Sequence, residues 1–277
     1  MIAFNQMTVA VEPFGAGVSR QRLLADERVK DAGMRLDRIK LAAGASMQFD
    51  LSKKTIAWMQ VLEGGVTFHA YYTDRMTEAH SAFLPPGFDA TLISSNGASF
   101  LYAEIPDVGP VHSGTVNSRP LFIVTEWERE PVLASEHDAR KRIHLVAADM
   151  CETTAMQVEM VIYPSGSVAP DSHHEGADTF FYFITGRGTA QANGQEYSIS
   201  QGDLVYFPDG ERHSIKAAAG SDMRFLEFHV PAEFKTVWTD PSKISAWRST
   251  DRDIHGRETL LDEKERKAFR FVFPWAV

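Results

Sequence analysis

The chain carries one internal repeat. Short apolar runs separated by turn residues appear in "MRLDRIKLAAG", "IAWMQVLEGGVTFHAYY", "SAFLPPG" and "SFLYAEIP". The same order returns in "MQVEMVIYPSG", "FFYFITGRGTAQA", "DLVYFPDG" and "RFLEFHVP". Gly44 and Gly166 stand 122 positions apart, Gly64 and Gly186 also 122, and the turns that begin at Pro85 and Pro208 stand 123 apart. Three landmarks at a nearly constant offset point to duplication of one unit, and two copies are too few for a solenoid. Each run is strand-length, alternates in polarity and is bounded by Gly, Pro, Asn or Asp, the pattern of an antiparallel sandwich or barrel. The expected fold class is therefore all-β, with one β-domain of sandwich or barrel type present twice in tandem.

The turn residues have mechanical reasons. Gly-x-Gly after a strand allows a tight turn through positive φ. Pro-x-Gly fixes one φ and frees another before the next strand. The repeat divides the chain into residues 1–110 and 136–235, with 111–135 as a linker and the first strand of the second half, and 236–277 as a C-terminal extension. "DVGPVHSGTVNSRP" reads as linker and "LFIVTEW" as a strand opening the second half, whereas "LASEHDARKRIHLVAAD" fits either a short helix or a loop and strand. The extension contains a helix-like stretch, "GRETLLDEKERKAFRF", and ends in the aromatic "FRFVFPWAV". Those aromatics, with Trp238 and Trp247, need cover from the neighbouring barrel or a second chain, so a homodimer is expected.

Composition removes several function classes. The formal charge is −9 and no basic stripe occurs, so a nucleic-acid partner is not expected. No apolar run approaches the ~20 residues that span a bilayer, and the N-terminus lacks the pattern of a signal peptide. The single cysteine, Cys151, excludes an intramolecular disulfide and fits a reducing, cytoplasmic setting. It reads as a small packing residue.

The second copy holds the chemistry. "GDLVYFPDGERH" places Gly202, Pro208, Gly210 and His213 in a spacing that resembles the second motif of the cupin family, and that resemblance implies two tandem jelly-roll barrels. The longer stretch "GDLVYFPDGERHSI" also looks much like the corresponding segment of oxalate decarboxylases. The first cupin motif, two histidines and a glutamate between two glycines, is bracketed here by Gly166 and Gly186 around "SHHEGADTFFYFITG". One register puts Ser172, His174 and Thr179 at the ligand positions, another His173, Glu175 and Thr179, and a third Ser172, His174 and Asp178. None gives His, His and Glu.

Strand parity still favours a metal site, because residues i and i+2 share a face and a bulge can re-aim a side chain at a barrel rim. His173 or His174, a carboxylate from Glu175 or Asp178, and His213 are the candidate ligands. Such a set suits a divalent Fe, Mn, Ni or Zn ion. In the first copy the matching positions are Leu51 and Lys53, Asp50 and Ser52, Ala57 and Ala90, so the N-terminal barrel is expected to lack a metal. His69 and His80 read as surface or edge-strand residues.

Two further strands bear on catalysis. Glu227 and His229 share one face of "RFLEFHVP", and Glu159 alternates with apolar neighbours in "MQVEMVIYPSG". Facing inward, Glu159, Glu227 or His229 is a candidate catalytic group, the carboxylates as general bases. Phe180 and Tyr182 read as wall.

The resemblance implies a metal-dependent enzyme acting on a small polar carboxylate, carbonyl or ureide: a dioxygenase or other oxidoreductase, a decarboxylase, an isomerase or an aminohydrolase. An empty N-terminal barrel followed by a metal-bearing one is similar to the manganese-using ureidoglycine aminohydrolases, although His213 stands where that group has Gln. The alternative is a non-catalytic bicupin that binds a small molecule at a degenerate site.

Overall fold

A computed structural model describes residues 1–25, 28–69, 73–109 and 122–259 of the chain. In the first half the strands are β1 (Ile2–Asn5), β2 (Glu12–Gly15), β3 (Val18–Leu24), β4 (Arg35–Leu41), β5 (Ser46–Asp50), β6 (Ile56–His69), β7 (Thr73–Thr77), β8 (His80–Leu84), β9 (Asp89–Ile93) and β10 (Ala98–Ile105). Then come β11 (Ile123–Glu126), β12 (Leu133–Ser135), β13 (Lys141–Val146), β14 (Gln157–Tyr163), β15 (Ser172–Glu175), β16 (Asp178–Thr185), β17 (Arg187–Ala192) and β18 (Gln195–Ser200). The last are β19 (Asp203–Phe207), β20 (His213–Ala217), β21 (Met223–Val230), β22 (Lys235–Trp238) and β23 (Trp247–Ser249). One short helix, α1 (Ala148–Cys151), holds the buried Cys151.

The described residues form two compact units. The N-terminal unit comprises residues 9–127 and 148–155, and the C-terminal unit residues 1–8, 128–147 and 156–259. The main sheet of the first runs β11-β8-β6-β10-β4-β3-β2, and that of the second β1-β19-β16-β21-β14-β13-β12-β23. Read from β11 and from β1, the first seven positions of the two orders match, as duplication requires, and β23 adds an eighth to the second. A second, five-stranded sheet, β18-β17-β20-β15-β22, belongs to the C-terminal unit.

Strand ownership differs from the sequence reading at two places. Ile123–Glu126 pairs with β8 of the N-terminal unit instead of opening the second half, and β1 pairs with β19 of the C-terminal unit. An edge strand bonds to whichever edge the chain path brings it to, and alternation within the strand carries no information about that partner. The undecided "LASEHDARKRIHLVAAD" forms β12, a turn, β13 and the start of α1. The helix-like stretch of the extension and its aromatic end lie almost wholly outside the described residues.

Alternation sets the faces. In the N-terminal unit Phe49, Phe68, Phe88 and Phe122 meet in the core with Leu51, Ala57 and Ala90; Phe88 and Phe122 stack at 4.8 Å. The interior positions that match the candidate ligands are thus occupied by apolar packing. His69 is exposed and His80 partly so. In the C-terminal unit Phe183, Phe207 and Phe225 pack one end of the interior. Gly186 shows why the repeat keeps its glycines: its φ is +85°, and a Cβ there would run into the backbone of Asp222 and Met223. Gly64 (φ +75°) meets Gly97 and Ala98 in the same way.

Candidate metal centre

The interior of the C-terminal unit is polar on one side because of register. Across its main sheet, His144 lies opposite Glu159, Glu159 opposite Glu227 and Glu227 opposite Phe181. The next row sets Gln157 opposite His229 and His229 opposite Thr179. The second sheet supplies β15 and β20, paired at Ser172 and His213. Even-numbered residues of β15 turn inward: Ser172 and His174 are buried, while His173 is only partly so and Glu175 is exposed.

This brings His174, Glu227 and His229 together. One ligand-type atom from each lies within 4.8 Å of the others. The His174 and His229 rings are 4.6 Å apart, and His229 Nε2 sits 3.3 Å from Glu227 Oε1. His213 stands beside the group, its ring 5.3 Å from that of His174.

Each imidazole is aimed by the far side of its ring. Thr236 Oγ1 lies 3.1 Å from His174 Nδ1, and Thr179 Oγ1 lies 3.3 Å from His229 Nδ1. His213 Nδ1 donates to the Glu211 carbonyl at 2.8 Å. With Nδ1 engaged, Nε2 is left to face the cavity, and hydrogen-bond partners of this kind orient histidines that bind metals. Phe234 stacks on His229 at 4.1 Å and Phe207 on His213 at 4.3 Å, which fixes the ring planes. Burial, then the neighbouring imidazoles, pushes His174 down to about 2, and burial holds His213 below the usual imidazole range. A neutral imidazole keeps the lone pair that a metal needs. Two imidazoles and one carboxylate with room beside them match the chemistry of an open divalent-metal site.

The remaining candidates stand elsewhere. His173 and Glu175 point away from the group because they have the opposite parity on β15; Glu175 pairs with Lys235 Nζ at 3.6 Å. Asp178 serves the Pro208–Gly210 corner, accepting from the Asp209 amide at 3.0 Å. Asp209 in turn accepts from the Gly176 amide at 2.9 Å, and Gly210 donates to the His174 carbonyl at 2.8 Å. Glu159 is fully buried and is not among the residues that line the cavity. Arg142 and Gln157 donate to it at 3.2 and 2.9 Å. Burial opposes its charge, but Arg142, His144 and His229 outweigh burial and hold the carboxyl below the usual carboxylate range.

Several groups escaped the sequence reading. Arg140, Arg142 and His144 line the same cavity, which measures about 470 Å³. The alternation in "ARKRIHLV" was their available signal. The strands after Pro231 also belong to this site: Phe234, Thr236, Trp238 and Trp247 are in its wall. Trp238 and Trp247 thus find cover within the C-terminal unit itself.

Comparison with known proteins agrees with this architecture. The family described as Cupin domain matches residues 158–229, from β14 to His229. The chain is 30% identical over 83 residues to an oxalate-binding protein of Thermotoga maritima, a stretch covering 30% of this chain and 69% of that protein. It is 33% identical over 67 residues to the (S)-ureidoglycine aminohydrolase of Escherichia coli, 23% of this chain and 26% of that one. Among solved structures, a variant of the Bacillus subtilis oxalate decarboxylase superposes with a TM-score of 0.69 at 13% identity, covering 86% of this chain and 79% of that chain. A second variant gives 0.68 at 14% over the same shares. At such identity the likeness is one of fold.

Proposed function

The chain belongs to the cupin superfamily as a bicupin-like member, and on that footing we propose that its C-terminal unit is a divalent-metal enzyme acting on a small polar organic molecule. The observation that carries this reading is the convergence of His174, Glu227 and His229 within 4.8 Å on a cavity of about 470 Å³. Those three residues would hold the ion, and His213 is close enough to join them or to bond a ligand. A bound divalent ion supplies Lewis acidity toward a carboxylate, carbonyl or hydroxyl oxygen. A two-histidine, one-carboxylate set favours Fe(II) among the four metals, and with it oxygen chemistry of the dioxygenase kind.

The protein's own part is binding and orientation. Thr179 and Thr236 hold two of the rings, Phe234 and Phe207 clamp their planes, and Glu159 anchors Arg142 and His144 on the cavity wall. Decarboxylase, isomerase and aminohydrolase reactions need the same features.

One observation favours a second reading, a non-catalytic binding protein: Ser172 and Thr179 occupy two positions where the family motif has ligands. The relative that binds oxalate supports it as well. Elemental analysis of the purified full chain separates the two. Stoichiometric metal, lost in Glu227→Gln and His229→Ala but retained in Glu175→Gln and His173→Asn, supports the enzyme. A metal-free protein that takes up none of Fe(II), Mn(II), Ni(II) or Zn(II) refutes it.

A further inference from the structure

We propose that this cavity accepts an organic monoanion longer than oxalate, with a carboxylate read by Arg142 and His144 and a flat apolar body held by Trp238, Trp247 and Phe234. The metal end of the cavity rests on the reading above; the anion end rests on separate residues.

Arg142 and His144 are two apart on β13, so they share its inward face, and both line the cavity. Glu159 binds both without covering them. Arg142 Nη1 donates to Glu159 Oε2 at 3.2 Å, with 26% of its side chain still accessible. His144 Nε2 lies 3.1 Å from Glu159 Oε1, with 32% of its side chain accessible. A planar pair of oxygens is the acceptor a guanidinium fits best. Glu159 holds both side chains from behind, which leaves their other edges for a ligand.

The size of the cavity sets the length of the ligand. The Arg142 guanidinium lies 4.7 Å from the Trp247 ring, and its Nη1 reaches Glu159 on β14. The wall is aromatic, with Phe181, Phe234, Trp238 and Trp247. The volume of about 470 Å³ is in the range of pockets for whole organic ligands, about 300–1,000 Å³, so a two-carbon dianion would leave most of it unfilled.

Charge sets the valence. Arg140 is paired with Asp138 and Arg142 with Glu159, which leaves the Glu227 carboxylate. A divalent ion on that carboxylate gives one net positive charge, and one carboxylate on the ligand neutralises it.

Titration calorimetry on the full chain reconstituted with Mn(II), and on the chelator-treated chain, tests this. The probes are three acid–amide pairs: benzoate with benzamide, phenylacetate with phenylacetamide, and indole-3-acetate with indole-3-acetamide, with oxalate as the short dianion. At least one acid should bind about tenfold or more tightly than its amide, the scale of a charge-assisted pair, and more tightly than oxalate. Arg142→Met combined with Glu159→Gln, which strands no buried carboxylate, should bring acid and amide to within about twofold at unchanged metal content. Arg142→Lys, which keeps the charge but not the fork, should lose most of the preference and serves if the double variant does not fold. No acid preferred to its amide, oxalate bound above every acid, or a preference that survives both variants overturns the proposal. A chain that holds no metal yet keeps the acid preference overturns only the metal reading, and stoichiometric metal without that preference overturns only this one.

Discussion

Acid should destabilise the metal-free C-terminal unit largely through one ring. Burial and the imidazoles around it push His174 down to about 2, whereas an unfolded chain titrates its histidines near 6.5. Over this range the unfolded state binds more protons than the native state. Stability from His174 is therefore complete above about pH 6.5 and is lost as the pH falls toward the native value. Each unit below 6.5 costs about 1.4 kcal/mol, so one ring removes about 2 kcal/mol at pH 5. The amount scarcely depends on the native value, because that value lies far below 5. His213, also lowered by burial, acts in the same direction. Asp37 acts in the opposite direction: burial raises it to about 6, so the native state gains stability there as the pH falls through 6. It lies in the N-terminal unit and cancels when two variants are compared at one pH. The assay is urea unfolding with a chelator present, from pH 7.5 to pH 5, on the wild type and on His174→Asn. The wild type should lose about 2 kcal/mol more than the variant over that interval. Equal losses in the two proteins, to within about 0.5 kcal/mol, would refute the assignment of the buried ring.

Three other outcomes are expected. Thr236→Val removes the group that orients His174 without touching a ligand atom, and metal affinity by competition with a chelator should fall roughly 10–100-fold; an unchanged affinity would show that the threonine does not aim the ring. Gly186→Ala forces a side chain into positive φ against Asp222 and should cost at least ~1–2 kcal/mol in chemical denaturation, whereas Gly194→Ala, also at positive φ but with open space around it, should cost less. Phe88→Ala in the N-terminal core should cost ~3–5 kcal/mol and leave metal content unchanged, so a loss of metal in that variant would contradict the placement of the site within the C-terminal unit.

Much of the fold was legible because duplication writes each strand twice. Gly64 and Gly186 both turn through positive φ against the backbone of a facing turn, and such a constraint is visible as a recurring glycine. Edge strands were not legible. Nothing in "IAFN" or "FIVTE" says which sheet edge will accept it, because an edge partner depends on the chain path and not on local alternation. The site divided along the same line. His213 follows a Pro-x-Gly corner at the spacing of the family motif, which named it, and its ring stands beside the three-residue group, 5.3 Å from that of His174. His174 and its neighbour His173 differ only in parity, and parity becomes inward or outward only when β15 pairs with β20 and β22.

The same reasoning explains how the candidate donors can differ from those of the family motif while the cavity keeps its place. The motif draws its histidines and glutamate from one strand pair, and here Ser172 and Thr179 stand at two of those positions. Thr179 faces His229 directly across the β16–β21 ladder, and its hydroxyl reaches the ring at 3.3 Å. A hydroxyl at that position can orient a histidine on the next strand, and His229 and Glu227 lie beside His174. The interior of a closed β-unit constrains where donors converge more tightly than which strand supplies them. A motif scan finds the strand, and only the cross-strand register finds the donors.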